Sequence, residues 1–129
     1  MEIRLDQSPY ARALGAELVR SEEGMVEIRL PFREEFLRMG DSDWYHGGVI
    51  SALADIAGAF AVLTAAGKES GATIDLRIDY LKPARAGDLN AIGRVVKIGR
   101  RICRADMEVR DASSDLVAIG RGTFLGAGE

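Results

Sequence analysis

Several residue types that carry common kinds of chemistry are scarce in this sequence. Its 129 residues include one cysteine, one histidine, one tryptophan and three prolines. The single cysteine, Cys103, excludes a disulfide within the chain and a cysteine-rich zinc site. His46 has no second histidine and no cysteine pair with which to complete a set of metal ligands. We therefore expect a cytoplasmic protein that uses no metal and no other cofactor.

An excess of charge of one sign is also missing. The chain has 17 lysines and arginines against 20 aspartates and glutamates, a net charge of −3, and its basic residues appear scattered. This gives no general attraction to nucleic acid or to anionic lipid, so we expect neither as a partner. With 47% hydrophobic and 29% charged residues, residues 1–129 have the composition of one folded domain. The start, Met1 to Asp6, is too charged for a signal peptide.

Long apolar runs are limited to one segment, Gly47 to Gly67, which is about as long as the roughly 20 residues that span a bilayer. Asp55 lies in its middle, where a carboxylate is costly in lipid, and the run is mostly alanine and glycine. We therefore interpret residues 48–66 as a helix that is buried on most of its surface, and we expect no membrane span.

The rest of the chain divides into short segments. Ser8 and Pro9 suit the start of a helix over residues 8–14, and residues 32–45 are expected to form an irregular loop. Alternation of apolar and polar residues, with short turns between, predicts antiparallel strands. In the strand at residues 72–81 the pattern places Ile74, Leu76, Ile78 and Tyr80 on one face, and Thr73, Asp75, Arg77 and Asp79 on the other. The predicted strands cover residues 16–21, 25–31, 72–81, 88–98, 101–110 and 116–125.

This order of elements predicts an α+β fold, with one antiparallel sheet of five or six strands wrapped around one long central helix. Few other arrangements cover a helix that is apolar on all sides with so few elements. The sheet still leaves part of the helix uncovered. We therefore expect a second copy to bury the remainder, in a homodimer or homotetramer.

Asp55 is the first candidate for chemistry, because ionised carboxylates are seldom placed in an apolar helix without a partner or a purpose. It either forms a structural hydrogen bond at a helix or subunit contact or takes part in a reaction. His46, Gly47 and Gly48 stand where the same helix begins. Two glycines there leave backbone N–H groups open to a ligand, and the helix dipole favours negative charge at that end. The pattern is typical of an oxyanion site.

The segment His46-Gly47-Gly48-Val49-Ile50-Ser51-Ala52-Leu53-Ala54-Asp55 resembles the HGG-x6-D signature of hotdog-fold acyl-CoA thioesterases of the phenylacetic-acid-degradation (PaaI-like) type. The resemblance extends over residues 9–125, and its parts occur in the same order. Further matches are Leu14-Gly15, Tyr80-Leu81-Lys82-Pro83-Ala84 followed by Gly87, and Ala118-Ile119-Gly120-Arg121-Gly122-Thr123-Phe124.

The resemblance implies hydrolysis of an acyl-CoA thioester at a site between two protomers. Asp55 would be the nucleophile or general base, and the N–H of Gly47 would hold the oxyanion, with Gly48 beside it in contact with substrate. His46 would orient the thioester or assist the leaving thiolate. Thr73 would position water from the other protomer.

Other candidate substrate contacts surround these residues. Many family members carry an asparagine shortly before the histidine, and here Asp41, Ser42 or Asp43 is a candidate to replace it. Trp44 and Tyr45 either fill the space under the loop or line an acyl pocket. Candidates for binding the CoA phosphates are Lys97, Arg100 and Arg101 at one turn, and Lys82 and Arg85 at another.

Two other functions are compatible with the same residues. A hydratase or dehydratase would pair His46 with the helix carboxylate of Asp55. A non-catalytic protein would bind an acyl-CoA without turning it over.

Overall fold

A curved, six-stranded antiparallel sheet surrounds one long helix in the computed structural model, which describes residues 2–128. The strand order is β1-β2-β4-β5-β6-β3. This confirms the predicted hotdog arrangement, and two short 3-10 turns, Leu5–Gln7 and Glu34–Phe36, complete it. The elements are α1 (Pro9–Leu14), β1 (Glu17–Glu22), β2 (Met25–Leu30), α2 (Gly47–Ala66), β3 (Thr73–Tyr80), β4 (Leu89–Lys97), β5 (Ile102–Arg110) and β6 (Leu116–Leu125).

The helix ends follow the sequence closely. The Ser8 hydroxyl accepts a hydrogen bond from the Ala11 N–H at 3.2 Å, and Gly15 ends α1 with a φ of 79°. Both are ordinary helix caps, so the predicted helix at residues 8–14 is confirmed. The central helix begins at Gly47, one residue earlier than predicted, because His46 caps it.

The central helix lies directly on the inner face of the sheet. Leu53, Ala57 and Ala61 are fully buried there. Gly93 of β4 faces Ala57, and a Cβ at Gly93 would collide with the Ala57 carbonyl. Glycine is therefore required at this crossing, since it alone lets the two backbones approach so closely. Cys103, also on the inner face, is buried.

Strand β3 departs from the alternation that the sequence predicts. Its register shifts between Thr73 and Asp75, a β-bulge that leaves one extra residue in the strand. Leu76 and Ile78 pack against the core as expected, but Thr73 also faces the helix, whereas Ile74 is 53% exposed. The predicted placing of Ile74 on the core face, with Thr73 opposite, is therefore wrong at this end of the strand.

One side of the helix and the edge of β3 remain uncovered in the single chain. Tyr80 and Leu81, at the end of β3, are each about half exposed. By length and composition alone α2 is a candidate membrane span, with a hydropathy of 1.9 over a window that is 50% buried. That signal is weak evidence, because the core helix of a soluble protein passes the same test.

Candidate active site

Asp55 lies in the middle of α2 on the side that the sheet leaves open. The bulge in β3 brings Thr73 opposite it, and the Thr73 hydroxyl donates a hydrogen bond of 2.6 Å to Asp55 Oδ1. The second oxygen, Oδ2, accepts no hydrogen bond from residues 2–128. The carboxylate is thus oriented by one oxygen while the other is free to meet a substrate or a water molecule. The resemblance implied that Thr73 acts on the site of the other protomer, but here it contacts Asp55 of its own chain.

The N-terminus of α2 is built around His46. Its Nδ1 accepts a hydrogen bond of 2.8 Å from the Gly48 N–H. A Cβ at Gly48 would lie 3.0 Å from that nitrogen, so a glycine lets the imidazole take up this position. Because Nδ1 is an acceptor, the neutral imidazole carries its proton on Nε2. The exposed His46 therefore has a donor left for a ligand, whereas the Gly48 N–H is already occupied.

Gly47 offers the open backbone donor at this end. It is the first residue of α2, and its N–H has no hydrogen-bond partner in the part of the chain that the structure describes. Its carbonyl accepts a hydrogen bond of 2.7 Å from the Tyr80 hydroxyl. The free N–H at the positive end of a helix is a ready site for a negatively charged oxygen.

Asp55 and Gly47 do not meet within one chain. They are eight residues apart along α2, which corresponds to about 12 Å along the helix axis. The structure thus presents two separate groups. One is the Asp55 carboxylate with its orienting Thr73 hydroxyl, and the other is the open Gly47 N–H beside His46.

Residues of the loop before His46 are occupied by local contacts. The Arg85 guanidinium donates to both oxygens of Asp43 at 2.8 Å and lies 5.1 Å above the Trp44 ring. The Ser42 hydroxyl accepts from the Trp44 N–H at 3.1 Å, and Asp41 is exposed. Trp44 is half-buried and two residues from His46, so it stays a predicted substrate contact. Arg85, paired with Asp43, is less suited to a phosphate.

Tyr45 is brought to the core rather than to an open pocket. It is 5% exposed, and its ring contacts Phe32 and Phe36 at centroid distances of 5.9 and 6.1 Å. Its hydroxyl donates to the Gly87 carbonyl at 2.6 Å. Burial raises the pKa of this phenol well above its ordinary value. The prediction that Tyr45 lines an acyl pocket therefore gives way to the alternative, packing beneath the loop.

Lys97, Arg100 and Arg101 lie around the turn between β4 and β5, near the C-terminal end of α2 and away from His46. All three are exposed. Lys82, the other predicted phosphate contact, instead pairs with Asp115 at 2.8 Å.

Sequence reasoning missed two features of the site. The sequence assigned Tyr80 only to an apolar strand face, yet the Tyr80 hydroxyl donates a hydrogen bond to the Gly47 carbonyl. The position of Tyr80 opposite the start of α2 depends on the curvature of the sheet. A groove of about 140 Å³ also opens one helical turn beyond Asp55, lined by Ala59, Phe60, Leu63, Ser70 and Gly71. Within residues 2–128 there is no group of three or more histidine, cysteine, aspartate or glutamate side chains that could hold a metal ion.

A sheet wrapped around one helix, with an oriented carboxylate in the helix and an open N–H at its start, defines the class of hotdog-fold thioester hydrolases. The chain belongs to the Thioesterase superfamily, whose family model matches residues 45–118. It is a PaaI-like member of that family and an enzyme that hydrolyses thioesters.

Relatives of known sequence and structure agree with this assignment. A Saccharolobus solfataricus protein provisionally named an esterase is 32% identical over 121 residues, which cover 94% of this chain and 79% of that protein. The medium/long-chain acyl-CoA thioesterase YigI of Salmonella typhimurium is 28% identical over 133 residues, covering 91% and 84%. The structure of E. coli PaaI, from the phenylacetic acid degradation operon, superposes with a TM-score of 0.82 at 25% identity, covering 94% and 86%.

Proposed function

We propose that this chain hydrolyses acyl-CoA thioesters to a free acid and CoA, with Asp55 as the reacting carboxylate. The observation that carries the proposal is the 2.6 Å hydrogen bond from Thr73 to Asp55 Oδ1, which leaves Oδ2 open. A carboxylate fixed in this way, on a helix that is otherwise apolar, has no evident structural partner beyond that hydroxyl. The YigI relative, named as an acyl-CoA thioesterase, supports the choice of substrate class.

The chemistry follows from the two halves of the site. One half is Asp55 with Thr73, and the other is the Gly47 N–H with His46. Asp55 Oδ2 either removes a proton from a water molecule that attacks the thioester carbonyl, or attacks the carbonyl itself to form an anhydride that water then hydrolyses to the free acid. The carbonyl oxygen then gains negative charge, which the Gly47 N–H and the helix dipole stabilise. When the carbon–sulfur bond breaks, CoA leaves as a thiolate, and the His46 Nε2–H is a donor suited to it.

Both halves meet if two copies pair along β3. This strand is the last one of the sheet, so its outer edge is a template for another strand. Thr73 and Asp55 lie at one end of β3, and Tyr80 with Gly47 lies at the other. Antiparallel pairing about the middle of β3 sets the Thr73 end of one copy opposite the Tyr80 end of the second. Asp55 of one chain would then face Gly47 and His46 of the second, which is why we propose a homodimer or larger assembly.

A hydratase that pairs His46 with Asp55 is less well supported. His46 Nδ1 is used by the Gly48 N–H, and within one chain His46 and Asp55 are nine residues apart, so such a pair could form only between two chains. The hydroxyl of Thr73, not an imidazole, contacts the carboxylate.

Thiol release from a panel of acyl-CoAs tests the proposal, with phenylacetyl, benzoyl, short-chain and medium-chain thioesters as substrates. We expect Asp55→Asn, which keeps the shape but loses the charge, to lower kcat by roughly 10²- to 10⁴-fold. Glu23→Gln, at an exposed turn residue, makes the same change of charge away from the site and should keep native turnover. Equal turnover by native and Asp55→Asn proteins would remove Asp55 from the mechanism, and no release from any thioester by folded native protein would favour a binding role.

A further inference from the structure

Four basic residues stand close together around the turn between β4 and β5, although the chain as a whole has a net charge of −3. They fall within eight consecutive residues, 97–104, which contain no acidic residue. All four are exposed, and we call this cluster the basic turn. Its members are Lys97, Arg100, Arg101 and Arg104.

The basic turn differs from the other cations on the outer face of the sheet. Arg94 pairs with Glu108 at 3.1 Å, and Arg121 pairs with Asp106 at 2.6 Å. Within residues 2–128, no member of the basic turn comes within 4.0 Å of a carboxylate oxygen. The acid two residues along β5 from Arg104 is Asp106, which is engaged by Arg121.

Two members of the basic turn also repel each other. Lys97 and Arg104 are directly opposite in the β4–β5 register, where like charges are destabilising. Arg77 and Arg121 are likewise opposite in the β3–β6 register, but each of them has a carboxylate partner, Asp79 and Asp106. A bound anion would relieve the repulsion that this register imposes.

Apolar surface adjoins these charges. Ile102 of β5 and Leu125 of β6 are cross-strand neighbours, 42% and 45% exposed. Ile102 stands two residues from Arg104, so both side chains project from the outer face. Cations beside a flat apolar patch suit a ligand that joins phosphate groups to an aromatic base. The nucleotide end of CoA, an adenosine 3′-phosphate with a 5′-diphosphate, has this composition.

The basic turn is also within reach of Asp55. The Leu125 N–H donates to the Ala72 carbonyl, and the Gly126 N–H donates to the Arg101 carbonyl, both at 2.7 Å. Ala72 therefore lies two strand spacings, about 10 Å, from Arg101. Since Ala72 precedes Thr73, a ligand that rounds this end of the sheet passes from the carboxylate to the basic turn. The pantetheine arm of CoA is longer than this separation between Ala72 and Arg101.

We infer that the basic turn binds the phosphates of CoA, with the adenine against Ile102 and Leu125. The inference rests on the proposed function and sharpens its substrate class: the enzyme selects thioesters of CoA over thioesters that lack the nucleotide.

The test compares one acyl group carried on CoA and on pantetheine, which has the same thiol arm without phosphates. In Lys97→Gln/Arg104→Gln we expect KM for the acyl-CoA to rise about tenfold, because two charge-assisted contacts at an exposed site are lost. KM for the acyl-pantetheine and kcat for both substrates should not change. The control Arg94→Gln/Arg121→Gln removes two charges from the same face and should leave both KM values as in the native protein.

An equal effect of the basic-turn variant on both substrates, or no effect on either, would overturn the inference while leaving thioester hydrolysis intact. If the proposed function itself is wrong, native protein turns over neither substrate.

In that case the inference is tested by binding instead of turnover, with calorimetric titration of CoA and of pantetheine. Tighter binding of CoA that is lost in the basic-turn variant alone supports it, and equal binding of the two ligands contradicts it.

Discussion

The inner and outer faces of the curved sheet are built in different ways. The inner face consists of small or apolar residues, such as Ala91, Gly93 and Ala105, that are buried against α2. The outer face has half-exposed ion pairs, such as that between Arg121 and Asp106. Close packing leaves no room for an added atom, whereas exposed ion pairs contribute little to stability. The inner face therefore determines the fold, and the outer face can vary its charges to bind a ligand.

The inner face also orients the carboxylate that we propose as the reacting group. The bulge that turns Thr73 toward Asp55 lies at the start of β3, where Thr73 is exposed. The candidate site thus occupies the margin of the packed region, where a side chain can be held by the fold and still be open to a substrate.

The largest effect is expected at the crossing of β4 and α2. Gly93→Ala adds a Cβ that collides with the Ala57 carbonyl, which is backbone and cannot move aside cheaply. We expect the free energy of unfolding to fall by about 3 kcal/mol or more, measured by urea denaturation. Gly40→Ala is the matched control, since a Cβ there meets nothing within 4 Å. If both variants were equally stable, the inner face would be less tightly packed than we argue.

The sequence predicted most of this inner face. The apolar run of α2 and the alternation in β4, β5 and β6 follow directly from burial on one or all sides. The signature from His46 to Asp55 indicated both halves of the proposed site. The bulge at Thr73 was not predicted, because one inserted residue reverses which side chains face the core and leaves no pattern of its own.

Other misses have a similar physical cause. Tyr45 is buried by Phe32 and Phe36, and its hydroxyl binds the Gly87 carbonyl, contacts that only the folded loop creates. The sequence placed Lys97, Arg100 and Arg101 at one turn, but Arg104 was missed because the sequence does not indicate that it lies opposite Lys97. Register, unlike periodicity, depends on turns and bulges that few residues specify.

A smaller effect is expected where the inner face meets the site. Thr73→Val keeps the size of the side chain but removes the hydrogen bond to Asp55. We expect kcat/KM for the best acyl-CoA to fall about tenfold, in line with the loss of one hydrogen bond to a charged group. The unfolding free energy should change by no more than about 1 kcal/mol. Thr73→Ser keeps the hydroxyl and should restore most of the activity; an equally impaired Thr73→Ser would point to packing instead.

The smallest effect is expected on the outer face. Arg121 donates hydrogen bonds of 2.6 and 3.0 Å to Asp106 and thereby lowers the pKa of that carboxyl below its ordinary value of 3.8. Because both side chains are about half exposed, Arg121→Gln should cost less than about 1 kcal/mol at neutral pH. A lowered pKa in the folded state stabilises the protein above the unfolded pKa, and this contribution disappears as the pH falls through the folded value. The difference between native and variant unfolding free energies should therefore be constant near neutral pH and vanish in acid. If it instead persisted in acid, Arg121 would act through packing, and the two faces of the sheet would be less distinct than their contacts indicate.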